Sequence, residues 1–473
     1  MSVIPDAMSE ALDFNNIKRR SVAARNYRVK LNPSNGTQFT GGNGNQIEFV
    51  LPSNLAGSYM DFSQMYLKFK LAVVGAAGNL DKCGAYGIIN RLECYTAGSQ
   101  IYTLNNYNVL AATLLDTDAT IGYKGGAGKV LAGLQGNGTL GEYLPTAGRT
   151  FCLPFILHPM AMQKKLIPLF SLDSLRFRIT LENYVNAFVS GGALTGYTVS
   201  DVQLCGYVTE LSGAAQSQID AMTGGVYQVL CPSYTNVQTT VVGGVNATTA
   251  TATLGVAVSS LERILVVHRV SASVNALANQ SLGARITNNL ASFQFSIDSS
   301  LYPQAPILVG DAGAEALAEM LISSHALSDM QNDAHIASQL YASALTVGAT
   351  ANMSILIGAY EGLYSYLQIP ASDAAKNCWF NAVGDGSLML SNAGLGSATP
   401  TGSFVASIEL ENGTSAARSD RLYSGISTIG SVVQYIGTYN ANSAASATVD
   451  FFCHYTILCT LDMKRLGVWQ VSV

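Results

Sequence analysis

From residue 45 onward the chain is written in period two. Leu175, Phe177, Ile179 and Leu181 alternate with Arg176, Arg178, Thr180 and Glu182, the pattern of a strand with one face in a core and one charged. Ile47, Phe49 and Leu51 alternate in the same way, as do Leu67, Phe69, Leu71 and Val73. Ile89 to Tyr95 and Gln100 to Leu104 flank the turn Ala97-Gly98-Ser99, which predicts a hairpin. Val199 to Leu211 adds a further strand. Ile264 to Val270, Leu290 to Ile297, Met353 to Ile357, Phe404 to Leu410, Val432 to Tyr439 and the tail from Val449 continue the style. Helical spacing is confined to Asn106–Asp116, with Leu110 and Leu114 on one face, and Ala314–Ala326, with Leu317, Leu321 and His325. The fold class is therefore all-β with short helices.

The two halves carry the same cues in the same order, which points to internal duplication. Each has a strand pair followed by a short helix. Each then has I-x-L-E-N (Ile179–Asn183 and Ile408–Asn412) and C-x-Y (Cys205–Tyr207 and Cys453–Tyr455). Two β-domains of like topology follow, each a jelly roll or related sandwich. The alternation lapses over Ser212 to Gly225, so the expected organisation is an N-terminal arm over 1–30, a first domain over 31–215 and a second over 216–473. Thr117–Arg149 and Asn381–Gly402 are Gly/Ala-rich and long for loops. They read as exposed or interface-forming excursions.

Only 12% of residues are charged, about half the roughly 25% usual for soluble domains. Charge cover this thin suits a chain whose surface is hidden in subunit contacts. Apolar residues reach 48%, enough for a sizeable core. No run of about 18 apolar residues occurs. The start, MSVIPDAMSEALDF, lacks the basic n-region of a signal peptide. Six of 25 basic residues fall in the first 30: Lys18, Arg19, Arg20, Arg25, Arg28 and Lys30. Such an arm can pack on a neighbour as a structural element or touch phosphates and anionic lipid. The eight cysteines, at 83, 94, 152, 205, 231, 378, 453 and 459, form no CxxC. They are expected to be buried free thiols of a reducing compartment rather than disulfide staples.

Motifs of catalysis do not hold up. Gly136-Asn-Gly-Thr-Leu-Gly141 matches GxGxxG, but Pro145 follows where a helix should run. Tyr123–Val130 resembles a phosphate loop with Tyr123 in place of its first glycine and Val130 in place of the magnesium-binding hydroxyl. The histidines 158, 268, 325, 335 and 454 show no metal-ligand spacing, and Asp329 four residues after His325 does not complete a site. Glu409 and Glu411 share a strand face, whereas glycoside hydrolysis needs two carboxylates facing across a cleft. The N-x-S/T sequons, among them Asn35, Asn137 and Asn412, are compositional. No catalytic residue, cofactor or metal is expected.

Three segments carry a family resemblance. GIINRLECYTAGSQIYTLNNYNVLAATLLD (Gly87–Asp116) resembles the hairpin-plus-helix of the first roll in double jelly-roll major capsid proteins of the tectivirus, adenovirus and giant-virus lineage, most like the polinton-like virus and virophage branch. LPFILHPMAMQKKLIPLFSLDSLRFRITLEN (Leu153–Asn183) is similar to that family's proline-punctuated stretch before a long strand, and Arg421–Asn440 to its late S-G-x-x-T segment. The resemblance implies two jelly rolls side by side and a homotrimeric, pseudo-hexameric capsomer in an icosahedral dsDNA virion. It implies no enzymatic activity. Partners would be further copies, minor capsid or penton proteins, and an internal membrane or the genome met by the arm through Lys18, Arg19, Arg20, Arg25, Arg28 and Lys30. The other reading is a carbohydrate-binding or adhesin-type β-protein of a surface array or fibre. Trp379 and Trp469, far apart in sequence, offer that reading no aromatic cluster.

Overall fold

The computed structural model describes residues 24–324 and 403–473, together with the strands Trp379–Ala382 and Leu388–Ser391. Residues 43, 97, 136–139, 156–157, 163–164, 191–192, 242–248, 284, 310–312, 412–424, 441–445 and 465–466 fall outside that description. The expected strand at Met353–Ile357, His325, His335, Asp329 and Cys378 therefore lie outside the described residues, as does most of Asn381–Gly402.

Period-two alternation becomes eight strands in the first half: β1 (Ala24–Leu31), β2 (Gln46–Val50), β3 (Ser58–Gly75), β4 (Ile89–Tyr95), β5 (Gln100–Leu104), β6 (Arg149–Pro154), β7 (Arg176–Leu181) and β8 (Leu194–Leu211). They form two antiparallel sheets, β1-β8-β3-β6 and β2-β7-β4-β5, the first extended by short strands at 38–40 and 167–168. The second half repeats the arrangement with β9 (Val226–Val241), β10 (Thr249–Leu254), β11 (Leu261–Val270), β12 (Leu290–Ile297), β13 (Ser300–Leu308), β14 (Ala406–Glu409), β15 (Val433–Tyr439) and β16 (Ala447–Asp462). Its sheets are β9-β16-β11-β14, extended by Trp469–Ser472, and β10-β15-β12-β13. Each of these eight strands of the first half thus has its counterpart eight strands later, in the same sheet order, while the short strands at 38–40, 78–80, 143–144, 167–168 and 188–189 belong to the first half alone among the described residues. Both halves are jelly-roll sandwiches. No described strand of the first roll hydrogen-bonds to one of the second.

Helix α1 (Tyr107–Thr117) follows β5. Next come α2 (Ile121–Gly125) and α3 (Ala127–Ala132), then α4 (Gly213–Thr223) between β8 and β9, and α5 (Ala314–Ser323) after β13. Residues 212–225, where alternation lapses, hold α4, with the Ser212 hydroxyl as N-cap and Gly224 (φ 64) ending it in the left-handed conformation that glycine favours. The Thr117–Arg149 excursion is not an open loop: α2 and α3 fill it, and Ala132, Leu134 and Leu144 are buried. Among the described residues no helix is long and apolar enough to cross a membrane.

Three expectations change. Helix α1 does not present one apolar face, since all eleven of its residues are buried. On α5 the buried stripe is Ala316, Met320 and Ser323, with Leu317 and Leu321 only half-buried, because the underlying sheet meets the neighbouring face of the helix. The two I-x-L-E-N segments are not equivalent: Ile179 lies on β7, whereas Ile408 lies on β14 in the opposite kind of sheet. The two C-x-Y segments do fall on counterpart strands, β8 and β16.

Candidate functional site

The seam between the rolls is where charged groups collect. Strand β11 reads Leu-Glu-Arg-Ile-Leu-Val-Val-His-Arg-Val, and all ten residues are buried. Ile264 and Val266 point into the second roll's own core, while Leu265 and Val267, with Phe452 on β16, join the apolar cluster that contains the first roll. Both faces of this sheet are covered, so it carries a near-continuous apolar run.

Among the polar contacts that cross the seam are three anchors built on α1 and the residues before it. At the N-terminus of α1, Asn106 (φ 49) donates its amide to Asn236 on β9 (2.8 Å) and to Asp450 on β16 (3.3 Å). Asp450 is in turn held by the Arg269 guanidinium at 2.6 Å. Before α1, the buried Asp81 carboxylate accepts the consecutive backbone N–H groups of Ser281 (2.9 Å), Leu282 (3.0 Å) and Gly283 (3.2 Å). Successive amides converging on one carboxylate form an anion nest. Burial pushes the Asp81 pKa up, and the four backbone donors, Lys82 included, oppose that rise. Gly283 is required by the close approach, because a Cβ there would lie 2.4 Å from the Lys82 Cβ.

The third anchor is ionic. Asp116, at the end of α1, meets Lys82 at 2.6 Å, Lys124 at 3.1 Å, and Arg285 of the second roll. All four side chains are buried. Burial favours the neutral acid, but Lys82, Arg285 and Lys124 outweigh it and hold Asp116 well below the usual carboxylate range. Burial pulls Lys82 down to about 8, with Asp116 opposing the fall and Arg285 adding to it. The set has three cations around one anion, so Asp116 is what makes the others tolerable inside the protein.

The sequence-predicted basic residues divide. Lys18, Arg19 and Arg20 lie outside the described residues. Arg25, Arg28 and Lys30 sit on β1, paired with β8 from Ala24↔Leu211 to Leu31↔Leu204. The Arg28 guanidinium stacks 5.6 Å above the Tyr66 ring and donates to its hydroxyl. Lys30, Tyr66, Lys68 and Lys70 share this outward face with Tyr207, which is 39% exposed. Glu409, singled out with Glu411, accepts the backbone N–H of Leu410 and Glu411, and burial raises its pKa to about 7. Among the described residues seven cysteines are free thiols, all buried except the half-buried Cys152. Among the described residues no three His, Cys, Asp or Glu side chains gather as metal ligands.

Asp81, Lys82, Asp116, Lys124 and Arg285 were not legible as a site. Their only sequence signal is charge in apolar surroundings: an aspartate closing Val-Leu-Ala-Ala-Thr-Leu-Leu, and Asp-Lys beside Cys-Gly-Ala-Tyr-Gly.

No family model and no curated protein matches the sequence. Solved structures do match. A chain of the PBCV-1 virus capsid aligns with 97% of this chain and 99% of its own length, at 10% identity and a TM-score of 0.56. A chain of the Sputnik virophage aligns with 99% of this chain and 93% of its own, at 12% identity and 0.54. The mavirus major capsid protein covers 100% of this chain and 96% of its own, at 11% identity and 0.52. The chain has the double jelly-roll fold. The alignment runs through both rolls of the double jelly roll, so the pairing of the two sandwiches is shared along with the sandwich itself.

Proposed function

We propose that this double jelly-roll chain is a major capsid protein whose homotrimers form pseudo-hexameric capsomers of an icosahedral dsDNA virus shell. The role is structural rather than catalytic. One observation carries the reading: two rolls of the same strand order are locked into one body by a buried seam. A single chain then supplies two similar building blocks at a fixed angle, and a heterologous contact between copies can close into a ring. The likeness in fold to a PBCV-1 capsid chain and the mavirus major capsid protein over nearly the whole of each chain supports it.

In this reading the rolls meet at 215/216, and the first begins with β1 at Ala24 rather than at 31, because that strand pairs along its whole length with β8. The arm carries Lys18, Arg19 and Arg20 toward the shell interior, to the genome, a membrane or minor capsid proteins. Native mass spectrometry of the purified full chain, at micromolar concentration, tests the proposal. The expected species has three times the 49.8 kDa chain mass and a hexagonal outline in negative stain. A stable monomer that binds immobilised glycans would overturn it in favour of an adhesin.

A further inference from the structure

The seam inside the chain leaves both halves of a second, identical kind of contact unused. Helix α1 and strand β5 of the first roll are covered by the second roll: all of α1 is buried, and so are Ile101, Tyr102 and Leu104 of β5. Among the described residues nothing gives their counterparts α5 and β13 that cover. Leu301 is 44% exposed, Leu308 56% and Ile322 37%. The equivalence extends to the helix entry, where Asn106 (φ 49) and Gly313 (φ 74) are both left-handed N-caps. On the other side, the outward face of β9-β16-β11-β14 is spent on the seam. Among the described residues no second layer covers the outward face of β1-β8-β3-β6, where Arg28, Lys30 and Lys70 are exposed and Tyr207 stands between them.

We propose that the outward face of β1-β8-β3-β6 in one copy docks on β13 and α5 of a second copy, repeating between chains the contact that joins the rolls within one. The inference rests on the self-assembly reading above and names the surfaces it would use.

Charge supports the match. The sheet face carries Arg28, Lys30, Lys68 and Lys70 against one acid, Asp61, opposite Tyr207. Helix α5 carries Glu315 and Glu319. Among the described residues Lys30, Lys68 and Lys70 form no ion pair, and neither glutamate meets a cation. Glu315 accepts only the Leu308 backbone N–H. Burial, and Glu315 beside it, push the Glu319 pKa upward. At the seam, too, an acid on the helix meets a cation of the other roll, Asp116 with Arg285, with Lys82 and Lys124 of the helix-bearing roll sharing that acid. A chain bearing one such face and one such helix edge makes a head-to-tail contact, the kind that yields closed rings.

A charge-swap cycle on the full chain tests it. Lys68→Glu with Lys70→Glu, and separately Glu315→Lys with Glu319→Lys, should each raise the half-association concentration by at least about tenfold, with circular dichroism unchanged. The quadruple variant, with both charges exchanged, should recover association to within about threefold of the parent. Carbodiimide cross-linking of mixed light and heavy wild-type chains needs no variant to fold. It should join Lys30, Lys68 or Lys70 of one copy to Glu315 or Glu319 of another. Trimers that survive both double variants, or that give inter-chain links only elsewhere, overturn the docking assignment while leaving the capsid reading standing. A monomeric wild type overturns both.

Discussion

Replacing Asp116 with Asn keeps the shape of the ionic cluster at the seam and removes the cluster's one anion. Lys82, Lys124 and Arg285 would then face one another in a buried site. Breaking a buried ionic set from one side costs about 3–5 kcal/mol, chiefly through the charges left uncompensated. A chain of 473 residues unfolds with an entropy of about 1 kcal/mol/K, at about 2.1 cal/mol/K per residue. If the rolls melt as one unit, the midpoint falls by about 3–5 °C. If the weakened seam parts first, each roll melts with about half that entropy, and the scan resolves two transitions with a shift of roughly 6–10 °C. Differential scanning calorimetry of parent and variant distinguishes these outcomes. A midpoint within about 1 °C of the parent would refute the idea that Asp116 holds the rolls together.

The same cluster predicts a pH signature. Lys82 has a folded pKa of about 8 against 10.5 for an ordinary lysine. Between those values the unfolded chain binds a proton that the folded chain has released, so this group makes stability rise with pH; below 8 both states are protonated and its slope vanishes. Without Asp116 the Lys82 pKa drops further. The gap between variant and parent should therefore narrow on going from pH 7 to about 9.5. A gap that does not narrow would place the variant's defect elsewhere.

Gly283→Ala forces a Cβ to 2.4 Å from the Lys82 Cβ and 2.9 Å from an Asp81 carboxylate oxygen, and should cost about 1–3 kcal/mol in urea titration; an unchanged midpoint would mean the nest has slack. Burial pulls His158 to about 3 and His268 to about 4, from an ordinary 6.5. Both are neutral in the fold, so stability should fall by about 1.4 kcal/mol per pH unit per histidine as pH drops below about 6.5. Imidazole NMR signals titrating near pH 6.5 for these two residues would contradict that.

The sandwich was legible wherever one sheet face meets a core and the other meets water. Strand β7 alternates because Phe177 and Ile179 point inward while Arg176 and Arg178 reach Glu48 on the neighbouring strand at 3.5 and 3.8 Å. The β4–β5 hairpin was legible for the same reason, with Leu92 and Cys94 turned to the core. Legibility ended at the seam. On β11 both faces are buried, so the run loses its period and a reading based on alternation says nothing of what lies on either side. The Asp116 cluster was hidden because its members come from four places, Lys82, α1, Lys124 and Arg285, that only the packing of one roll on the other brings together.

The mismatch of the two I-x-L-E-N segments shows what the two rolls have in common. Sheet order is common to the rolls because it follows from hydrophobic closure, which tolerates extensive substitution when the pattern is kept. Short identities are not retained, since Ile179 and Ile408 occupy strands of opposite sheets. The remaining differences follow from which surfaces are covered. Helix α1 is apolar nearly throughout and ends in an acid buried against Arg285, whereas α5 alternates Ala-Glu-Ala-Leu-Ala-Glu and keeps its acids at the surface. An interface formed once, during folding of a single chain, can bury charge at a desolvation cost that the fold offsets. One formed between separately folded copies must leave its surfaces soluble beforehand, and so places charge at the rim where it speeds and orders encounter. The composition of the two helices is thus the difference between a permanent joint and one that assembles.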